Sequence, residues 1–463
     1  MSQARAWLRT PDARWLLVVF AVAFVIRLLV AINITPDPRD GRYDDSVWYD
    51  TTAQHLAAGD GYVFDPTVWL APNGDRIYPN ETELTPTALW PPGYPITLAA
   101  IYKLTDDSVA AGRFANVVFG SLTAVLVFAI ARKLFGDLLP AVFSGLAIAV
   151  LPSHVLFTSV LLSETYFGFL LALILFVSVY FVFDREKPNL PIVFGLGLLV
   201  AATGYVRGEF IAFGGVLALL MIFHWRRRAL LPLVAFAIGA ALVVTPWTIR
   251  NRSSMGETII GTTGAGRVLY QGHNERTDGG PSLQAFWYLE QDYAGLDRKT
   301  IELEANKDGT RLAKDYAKDH KVHELQLVGR RMFLLFRNDE SGVTWIQSNK
   351  LWFDEENANK LIALSSFVFW GLTALALASI PIWWRWRDTK RWAVFAIAPY
   401  YMVVFGVLFI GDPRYHYAMY IPITTFAGVG LAAAARMTAA NWRDVAGGRS
   451  LGSVLRTYGS PER

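Results

Sequence analysis

The feature that most limits the possible folds of this chain is a series of largely uncharged, apolar blocks, each about 20 residues long. A helix of that length spans the hydrocarbon core of a bilayer, whereas helices of soluble proteins carry apolar residues on one face only. About ten such blocks can be recognised. They lie near Trp15–Ile32, Ala111–Leu134, Leu138–Phe157, Ser163–Phe183, Leu190–Val206, Phe210–His224, Leu230–Ile249, Leu361–Trp384, Trp392–Ile410 and Tyr415–Ala435. We therefore predict an all-α polytopic membrane protein with about 10 to 11 transmembrane helices, the shorter apolar stretch Pro92–Leu104 being interfacial or re-entrant.

Composition agrees with a membrane protein and excludes several other classes. Of the 463 residues, 53% are hydrophobic, and the absence of cysteine rules out disulfides and thiolate metal sites. A net charge of +4 would suggest nucleic acid as the partner of a soluble protein. In a membrane protein the excess of Lys and Arg instead reports orientation, so we predict membrane lipids and no nucleic acid as partners.

The basic clusters predict the orientation of the chain. When the blocks are taken to alternate across the membrane, the clusters fall on one side. They are Arg132/Lys133, Arg185/Lys187, Arg226–Arg228, Arg385/Arg387/Lys390/Arg391 and Arg436/Arg443/Arg449. The positive-inside rule then predicts a multi-pass plasma-membrane protein with cytoplasmic N- and C-termini. The membrane domain would cover residues 1–436, with long extracytoplasmic segments at 33–110 and 250–360, and 437–463 would be a cytoplasmic polar tail.

The first outer segment begins with a dense polar motif, RYDDSVWYDTTAQHLAAGDGY. A helix that stops at Gly59 would place Asp45, Tyr49 and Thr52 on one face. Asp44 or Asp45 can cap this helix, because an aspartate there accepts hydrogen bonds from free amides. Only one of them can be the cap, which leaves the other carboxylate for chemistry; at this point both interpretations stay open.

Arginines at the predicted outer ends of the membrane blocks form a second candidate group. They are Arg113, Arg207, Arg250, Arg252 and Arg414. Positive residues are disfavoured on this side, and an arginine at the hydrocarbon edge needs an anion. A lipid phosphate is one candidate. Pairing with a neighbouring acid, Arg207 with Glu209 or Arg414 with Asp412, is the alternative.

The remaining candidates are isolated polar residues near the outer surface. His154 and Glu164 flank the turn between the third and fourth blocks, where an acid also suits a helix N-terminus. Trp90 and Tyr94 belong to the rigid proline-rich stretch PTALWPPGYP, where they can simply be interfacial anchors. In the second outer segment, Val322–Phe336 is amphipathic and is expected to lie on the membrane surface. We find no Walker A, G-x-S-x-G or H-E-x-x-H motif.

Several of these motifs, in this order, resemble the family 39-like glycosyltransferases, the bacterial relatives of the dolichyl-phosphate-mannose protein mannosyltransferases and of the aminoarabinose transferase acting on lipid A. The resemblance lies in Asp45-x-x-x-Tyr49, the A-x-x-L-x-x-G of Ala53–Gly59, PTALWPPGYP, the stretch Arg113–Gly136, LLSE at Leu161–Glu164, GYVRGEF, PWTIRN at Pro246–Asn251 and PRY at Pro413–Tyr415. It covers most of the chain except the second outer segment and the tail.

The resemblance implies a GT-C-type membrane fold, a polyprenyl-phosphate-linked sugar donor and a catalytic acid at the start of the first outer loop. By position that acid is Asp45, with Asp44 adjacent. Where the mannosyltransferases proper carry Asp-Glu, this chain has Asp45-Ser46, and the acceptor stays open between protein, lipid and polysaccharide hydroxyls.

The chemistry of this reaction suits the candidate residues. A polyprenyl phosphate leaves without protonation, so one base suffices to deprotonate the acceptor hydroxyl and the anomeric centre inverts. Arg207, Arg250 and Arg414 would bind the donor phosphate, with Tyr49, Glu164, His154 and Tyr94 as substrate-binding candidates. No cofactor is required; we predict no metal site, although a divalent metal is compatible with the chemistry.

Two other function classes stay open at this stage. A multi-span transporter or flippase for lipid-linked or small polar substrates would place ionisable groups near the bilayer midplane, where Arg27 is the main candidate. A non-catalytic membrane scaffold would not explain several outer arginines facing an acid-rich loop. We expect the glycosyltransferase.

Overall fold

The computed structural model of the protein describes residues 10–40, 44–69, 78, 80–347, 352–384 and 388–445. Within these residues, eight helices are long and apolar enough to cross a membrane, or nine if one bent helix pair is counted as a span. Each predicted apolar block is helical. The predicted all-α polytopic architecture is therefore confirmed. Arg385, Arg387 and Arg449, which belong to the predicted basic clusters, lie outside the described residues, as does Arg42 of the first outer motif.

The described residues fold in order into twenty α-helices and one short antiparallel strand pair. The helices of the first half are α1 Pro11–Asn33, α2 Asp45–Ala58, α3 Gly93–Thr105, α4 Val109–Phe135, α5 Leu138–Val150, α6 Pro152–Leu156, α7 Ser163–Val177, α8 Leu190–Gly204, α9 Phe213–Trp225 and α10 Leu230–Met255. Those of the second half are α11 Ala265–Gly272, α12 Leu283–Tyr288, α13 Arg298–Asp319, α14 Lys321–Phe336, α15 Ser341–Ile346, α16 Glu355–Ala378, α17 Ile380–Trp383, α18 Thr389–Phe395, α19 Ile397–Val403 and α20 Tyr420–Val445. The strands are β1 Val63–Phe64 and β2 Thr85–Pro86, with Val63 opposite Pro86.

Two of the predicted spans are irregular. The third block is broken into Leu138–Val150 and Pro152–Ser159, which meet at 59°. Leu151 is extended there because a proline at the next position disfavours helical backbone in the residue before it. α8 has only 15 residues and is shorter than a full span. The break at Leu151 and the short length of α8 depend on local backbone conformation, which a hydropathy pattern does not predict.

Basic residues from separate connections meet at one end of the bundle. Lys133 and Lys390 both donate to the Asp184 carboxylate, at 2.6 and 2.9 Å. Arg132 pairs with Asp12 at 3.1 Å, and Arg436 pairs with Asp137. These pairs join α1, α4, the N-cap residue of α5, the loop between α7 and α8 that carries Asp184, α18 and α20. The predicted clustering of basic residues on one side of the bundle therefore has a structural counterpart, while the orientation of that side in a membrane stays a prediction.

The two long segments interlock through the buried carboxylate of Glu302 in α13. This carboxylate accepts hydrogen bonds from the Thr87 hydroxyl at 2.6 Å and from the Ala88 amide at 2.9 Å, and it also binds the Thr263 hydroxyl. The Thr263 amide in turn donates to the Ala88 carbonyl at 2.9 Å. The proline-rich stretch predicted to be rigid is thus clamped from the second segment. The amphipathic stretch of that segment is helical, as α14, and its position on a membrane surface stays a prediction.

Close backbone packing of α8 against α10 yields a stability prediction. A Cβ atom added at Gly239 would lie 2.2 Å from the Phe194 carbonyl oxygen, so the helices must separate to accept any side chain. We expect Gly239→Leu to lower the free energy of unfolding by at least about 1–3 kcal/mol. The melting temperature in detergent measures this. Gly215→Leu is the matched control, since nothing lies within 4 Å of a Cβ atom there; equal melting temperatures of the two variants would contradict the prediction.

Candidate active site

The helix α2 separates the two adjacent aspartates of the first outer motif. Asp44 is its N-cap and accepts a hydrogen bond from the Ser46 amide at 2.9 Å. Asp45 is the first helical residue, and its side chain is 29% exposed. The helix ends, as predicted, at Gly59, whose φ of 97° suits glycine. Capping therefore occupies Asp44 and leaves Asp45 for other contacts.

Asp45 joins a chain of alternating charges assembled from distant parts of the sequence. Arg414 donates from Nη1 to Asp45 Oδ2 at 2.6 Å and from Nε to Glu164 Oε1. Glu164 Oε1 also accepts from Arg207 Nη1 at 2.7 Å, and Arg207 Nε donates to Glu209 Oε1 at 2.6 Å. Three carboxylates thus hold two guanidinium groups in fixed positions. The structure brings together four of the predicted site residues, Asp45, Glu164, Arg207 and Arg414, while their roles stay a prediction.

Aromatic rings and burial fix the two arginines further. The Arg414 guanidinium lies 4.2 Å from the ring centroid of Trp345, and that of Arg207 lies 5.8 Å from the rings of Phe167 and Tyr415. Their side chains are only 10% and 11% exposed. Burial by itself lowers the pKa of Arg207, but the charges of Glu209 and Glu164 outweigh it and raise that pKa above its usual range. Arg207 is therefore permanently cationic.

A cavity of about 310 Å³ opens beside this charge chain. Asp45, Arg207, Glu209 and Arg414 form its polar wall. Its apolar wall comprises Leu89, Trp90, Val206, Val268, Phe405 and Phe409. Among the described residues, the Nη2 groups of Arg207 and Arg414 and the Oδ1 atom of Asp45 have no hydrogen-bond partner. The cavity therefore offers two cationic donors and one carboxylate oxygen to a ligand.

Tyr49 lies one helical turn after Asp45 and also lines the cavity. Its hydroxyl donates to the Ser163 hydroxyl at 3.4 Å. Burial and the nearby Asp45 carboxylate raise the pKa of Tyr49 above its usual range, so the phenol stays neutral. It can donate a hydrogen bond but does not compete with Asp45 as a base.

Five predicted site residues do not line this cavity: Asp44 and Glu164, whose contacts are given above, and Arg250, His154 and Tyr94. Arg250 donates to the backbone carbonyls of Thr87, at 2.6 Å, and of Tyr62. His154 is buried, and its Nδ1 accepts a hydrogen bond from Arg27 at 2.7 Å. Tyr94 is buried beneath Tyr49, with ring centroids 5.1 Å apart. Arg250 thus holds the proline-rich stretch, and Tyr94 supports Tyr49 from below.

Two important residues of the site were missed by sequence reasoning. Glu209 was considered only as an ion-pair partner, although GYVRGEF already placed it beside Arg207. Trp345 carried no usable signal, because it lies in a polar segment without a recognised motif and reaches Arg414 only through the tertiary fold. Among the described residues, no group of three His, Asp or Glu side chains could hold a metal ion.

Comparisons with known proteins give a likeness to one family and to solved membrane enzymes. The profile of the dolichyl-phosphate-mannose-protein mannosyltransferase family matches residues 90–249. The predicted family resemblance is confirmed. The matched part contains Glu164, Arg207 and Glu209, whereas Asp45 and Arg414 lie outside it. No curated protein matches the chain in the corresponding sequence search.

Solved structures extend the likeness to the fold. The oligosaccharyltransferase of Archaeoglobus fulgidus, tethered to an acceptor peptide, has a TM-score of 0.54 at 14% identity, covering 95% of this chain and 51% of that one. Its apo form has a TM-score of 0.55 at 13% identity, covering 96% and 53%. ArnT from Cupriavidus metallidurans bound to undecaprenyl phosphate has a TM-score of 0.41 at 14% identity, covering 92% and 78%. The chain spans about half the length of the archaeal enzyme, and its fold is of the GT-C type.

Proposed function

We propose that this protein is an inverting membrane glycosyltransferase that moves a sugar from a polyprenyl-phosphate donor to an acceptor hydroxyl. The observation that carries the proposal is the shared cavity of Asp45, Arg207 and Arg414. In this cavity a carboxylate that can act as a base lies beside two cationic side chains that can bind phosphate. The family resemblance and the GT-C fold support the same reaction class.

The arginines would bind the donor phosphate through the donors that the protein leaves unused. In Arg207, Nε donates to Glu209 and Nη1 donates to Glu164. In Arg414, Nε donates to Glu164 and Nη1 donates to Asp45. The Nη2 groups are left for phosphate oxygens, which charge-assisted hydrogen bonds from arginine suit well. The apolar wall with Phe405 and Phe409 would receive the beginning of the prenyl chain.

Asp45 would act as the general base through its Oδ1 atom. It takes the proton of the acceptor hydroxyl while that oxygen forms a bond to the anomeric carbon. The bond between this carbon and the phosphate oxygen breaks, and the phosphate leaves with the electron pair under the positive charge of Arg207 and Arg414. A glycosidase needs a second carboxyl group to protonate its leaving group, whereas a phosphate does not. A single displacement inverts the anomeric centre.

The proposed function includes a position for the active site on one side of the membrane. The ion pairs around Asp184 and Asp137 gather the basic connections that the positive-inside rule places in the cytoplasm. The cavity is lined by residues of the two long segments that this rule places outside, together with residues at the ends of neighbouring spans such as Arg207 and Arg414. We infer an extracytoplasmic active site in a plasma-membrane protein, with a hydroxyl of a protein, lipid or polysaccharide as the acceptor.

The experiment that tests the function is sugar transfer by the purified protein in proteoliposomes. Polyprenyl-phosphate donors with labelled sugars are supplied on the outer face, together with candidate acceptors bearing hydroxyl groups. We expect labelled acceptor with inverted anomeric configuration. Movement of the intact donor across the membrane without any sugar transfer would identify a flippase and contradict the proposal.

Binding of the donor phosphate provides a second prediction. We expect Arg207→Gln to weaken the affinity for a short-chain polyprenyl phosphate about 10- to 100-fold, because a hydrogen bond to a charged group contributes about 1.5–3 kcal/mol. Fluorescence quenching or calorimetry in detergent measures the affinity. Arg252→Gln is the control, since within the described part of the chain this exposed arginine donates only to the nearby Gly256 carbonyl. Equal affinities of the two variants would remove Arg207 from the phosphate site.

A further inference from the structure

A second and larger cavity, of about 490 Å³, lies in the second outer segment. It is lined by the end of α11, the loop 273–282 and α12, and none of its described lining residues also lines the active-site cavity. Polar side chains dominate its described lining: Tyr270, Gln271, Asn274, Glu275, Arg276, Thr277, Asp278, Ser282, Gln284 and Tyr288. The function proposed above uses none of them.

Gln271 is the best-defined element of this cavity. Its side chain is almost fully buried, and its Oε1 accepts a hydrogen bond from the Ser282 amide at 2.8 Å. This bond fixes the orientation of the amide group. Among the described residues, the Nε2 atom has no acceptor, although Gln271 lines the cavity. The Nε2 donor of this largely buried side chain is thus held in a fixed orientation and is open to the cavity, where it suits a ligand that accepts a hydrogen bond.

Three more exposed polar groups of the cavity are also available to a ligand. The amide of Gln284 and the hydroxyls of Tyr270 and Tyr288 have no hydrogen-bond partner among the described residues. The Tyr288 side chain is 43% exposed, so an apolar ring face with a polar tip is open to a ligand. Glutamine amides both donate and accept, as sugar hydroxyl groups do. The aromatic rings can pack against the C–H groups of a sugar ring. The uncharged hydrogen-bond donors and acceptors beside them can bind its hydroxyl groups.

Charge and polarity argue against other ligands. The described lining carries the acids Glu275 and Asp278 and the cation Arg276, so a phosphate would meet excess negative charge there. Among the described lining residues, Pro281 and Ala285 are the main aliphatic side chains, which offer little apolar surface to a lipid chain. A neutral, hydroxyl-rich ligand remains.

We propose that this second cavity binds a neutral saccharide and so serves as a recognition site for a carbohydrate-bearing acceptor. The inference rests on the proposed function, because only a transferase needs an acceptor. It deepens that function by favouring a glycan among the acceptor classes that the sequence left open.

The position of the cavity suits such a role. Ala265 and Val268 of α11 line the active-site cavity, while Tyr270 and Gln271 of the same helix line the second one. The six residues from Ala265 to Gln271 correspond to about 9 Å along a helix. One helix therefore contributes to both cavities, and an acceptor bound in the second cavity would lie next to the first.

Hydrogen bonds to backbone groups connect the loop of the second cavity with the chain segment that precedes Arg414. The Gly411 amide donates to the Gly279 carbonyl at 2.8 Å, three residues before Arg414. Arg331 donates to the Gly272 carbonyl at 2.5 Å, and the His273 ring bonds the Leu408 carbonyl at 3.0 Å. The loop of the cavity is thus attached to the chain segment that leads into Arg414.

The test measures saccharide binding to the full chain in detergent by saturation-transfer NMR. The probes are neutral oligosaccharides of two to four sugars in gluco, galacto and manno configurations. We expect wild-type protein to bind at least one of them and Gln271→Glu to bind it at least about tenfold more weakly. The variant retains the oxygen that accepts from Ser282 but loses the Nε2 donor. Tyr288→Ala should weaken binding as well.

Gln326→Glu is the matched control, because it makes the same change on an exposed face of α14. It should bind the saccharide like wild type. Absence of binding to wild type, or equal affinity in Gln271→Glu and Gln326→Glu, would overturn the inference. Displacement of the saccharide by a short-chain polyprenyl phosphate would also overturn it, because the sugar would then occupy the active-site cavity. Saccharide binding without any sugar transfer would instead refute the proposed function and leave the site standing.

Discussion

Asp45→Asn should lower the rate of sugar transfer about 100- to 10,000-fold, the range that a general base contributes to catalysis. The asparagine oxygen can still accept the hydrogen bond that Arg414 Nη1 makes to Asp45 Oδ2. The geometry of the site is therefore retained while the ability to take a proton is lost. The side chain is partly exposed, so folding should be little affected. Initial rates with labelled donor, together with the melting temperature, measure both effects.

The neighbouring aspartate provides the matched control for this variant. Asp44 caps α2 through its contact with the Ser46 amide, and asparagine caps a helix as well as aspartate does. Asp44→Asn should therefore fold normally and retain most of the transfer activity. A loss in Asp44→Asn as large as that in Asp45→Asn would show that the two carboxylates act together. Full activity of Asp45→Asn would refute the proposed base.

The helical framework was predictable because it depends on local sequence. Length and apolarity alone identified every block, and Gly59 marked the end of α2 correctly. The break at Leu151 was not predicted, although Pro152 was the signal for it. Hydropathy averages over about 20 residues and therefore does not register a single backbone distortion.

The ionic partners of the site were only partly predictable. Proximity in sequence suggested pairing of Arg414 with Asp412, but Asp412 instead caps the next turn through the Arg414 amide at 2.7 Å. The Arg414 side chain reaches Asp45 and Glu164, which are 369 and 250 residues away. Arg207 with Glu209 was the correct neighbour pair, yet Arg207 also binds the distant Glu164. Such partners follow from the packing of helices, which the sequence pattern does not encode.

Residues at similar positions relative to the predicted spans make different contacts in the fold. Arg207, Arg250 and Arg414 all lie at outer ends of predicted spans. Arg207 and Arg414 face the cavity, whereas Arg250 binds backbone carbonyls of the first outer segment. His154 lies near the same outer turn as Glu164 but faces Arg27 inside the bundle. The direction of a side chain around its helix decides its role, and that direction depends on neighbours far away in the chain.

Glu164 is the residue whose loss should destabilise the site most. It is buried, and its Oε1 atom accepts from both Arg207 and Arg414. We expect Glu164→Gln to lower the free energy of unfolding by about 3–5 kcal/mol, because two buried guanidinium groups lose their shared countercharge. Among the described residues, Oε2 has no hydrogen-bond partner, so an amide nitrogen placed there would be a buried, unpaired donor.

The melting temperature and the affinity for a short-chain polyprenyl phosphate would both report this change. Glu209→Gln is the matched control, because Glu209 binds only Arg207 among the two arginines and is 15% exposed. It should cost about 1–2 kcal/mol, as for a partly exposed charged hydrogen bond. If Glu164→Gln melted at or above the temperature of Glu209→Gln, the shared carboxylate would not be what holds the arginines in place. A lower melting temperature with weaker phosphate binding would show that one buried acid both stabilises this corner of the fold and orients the donors of the site.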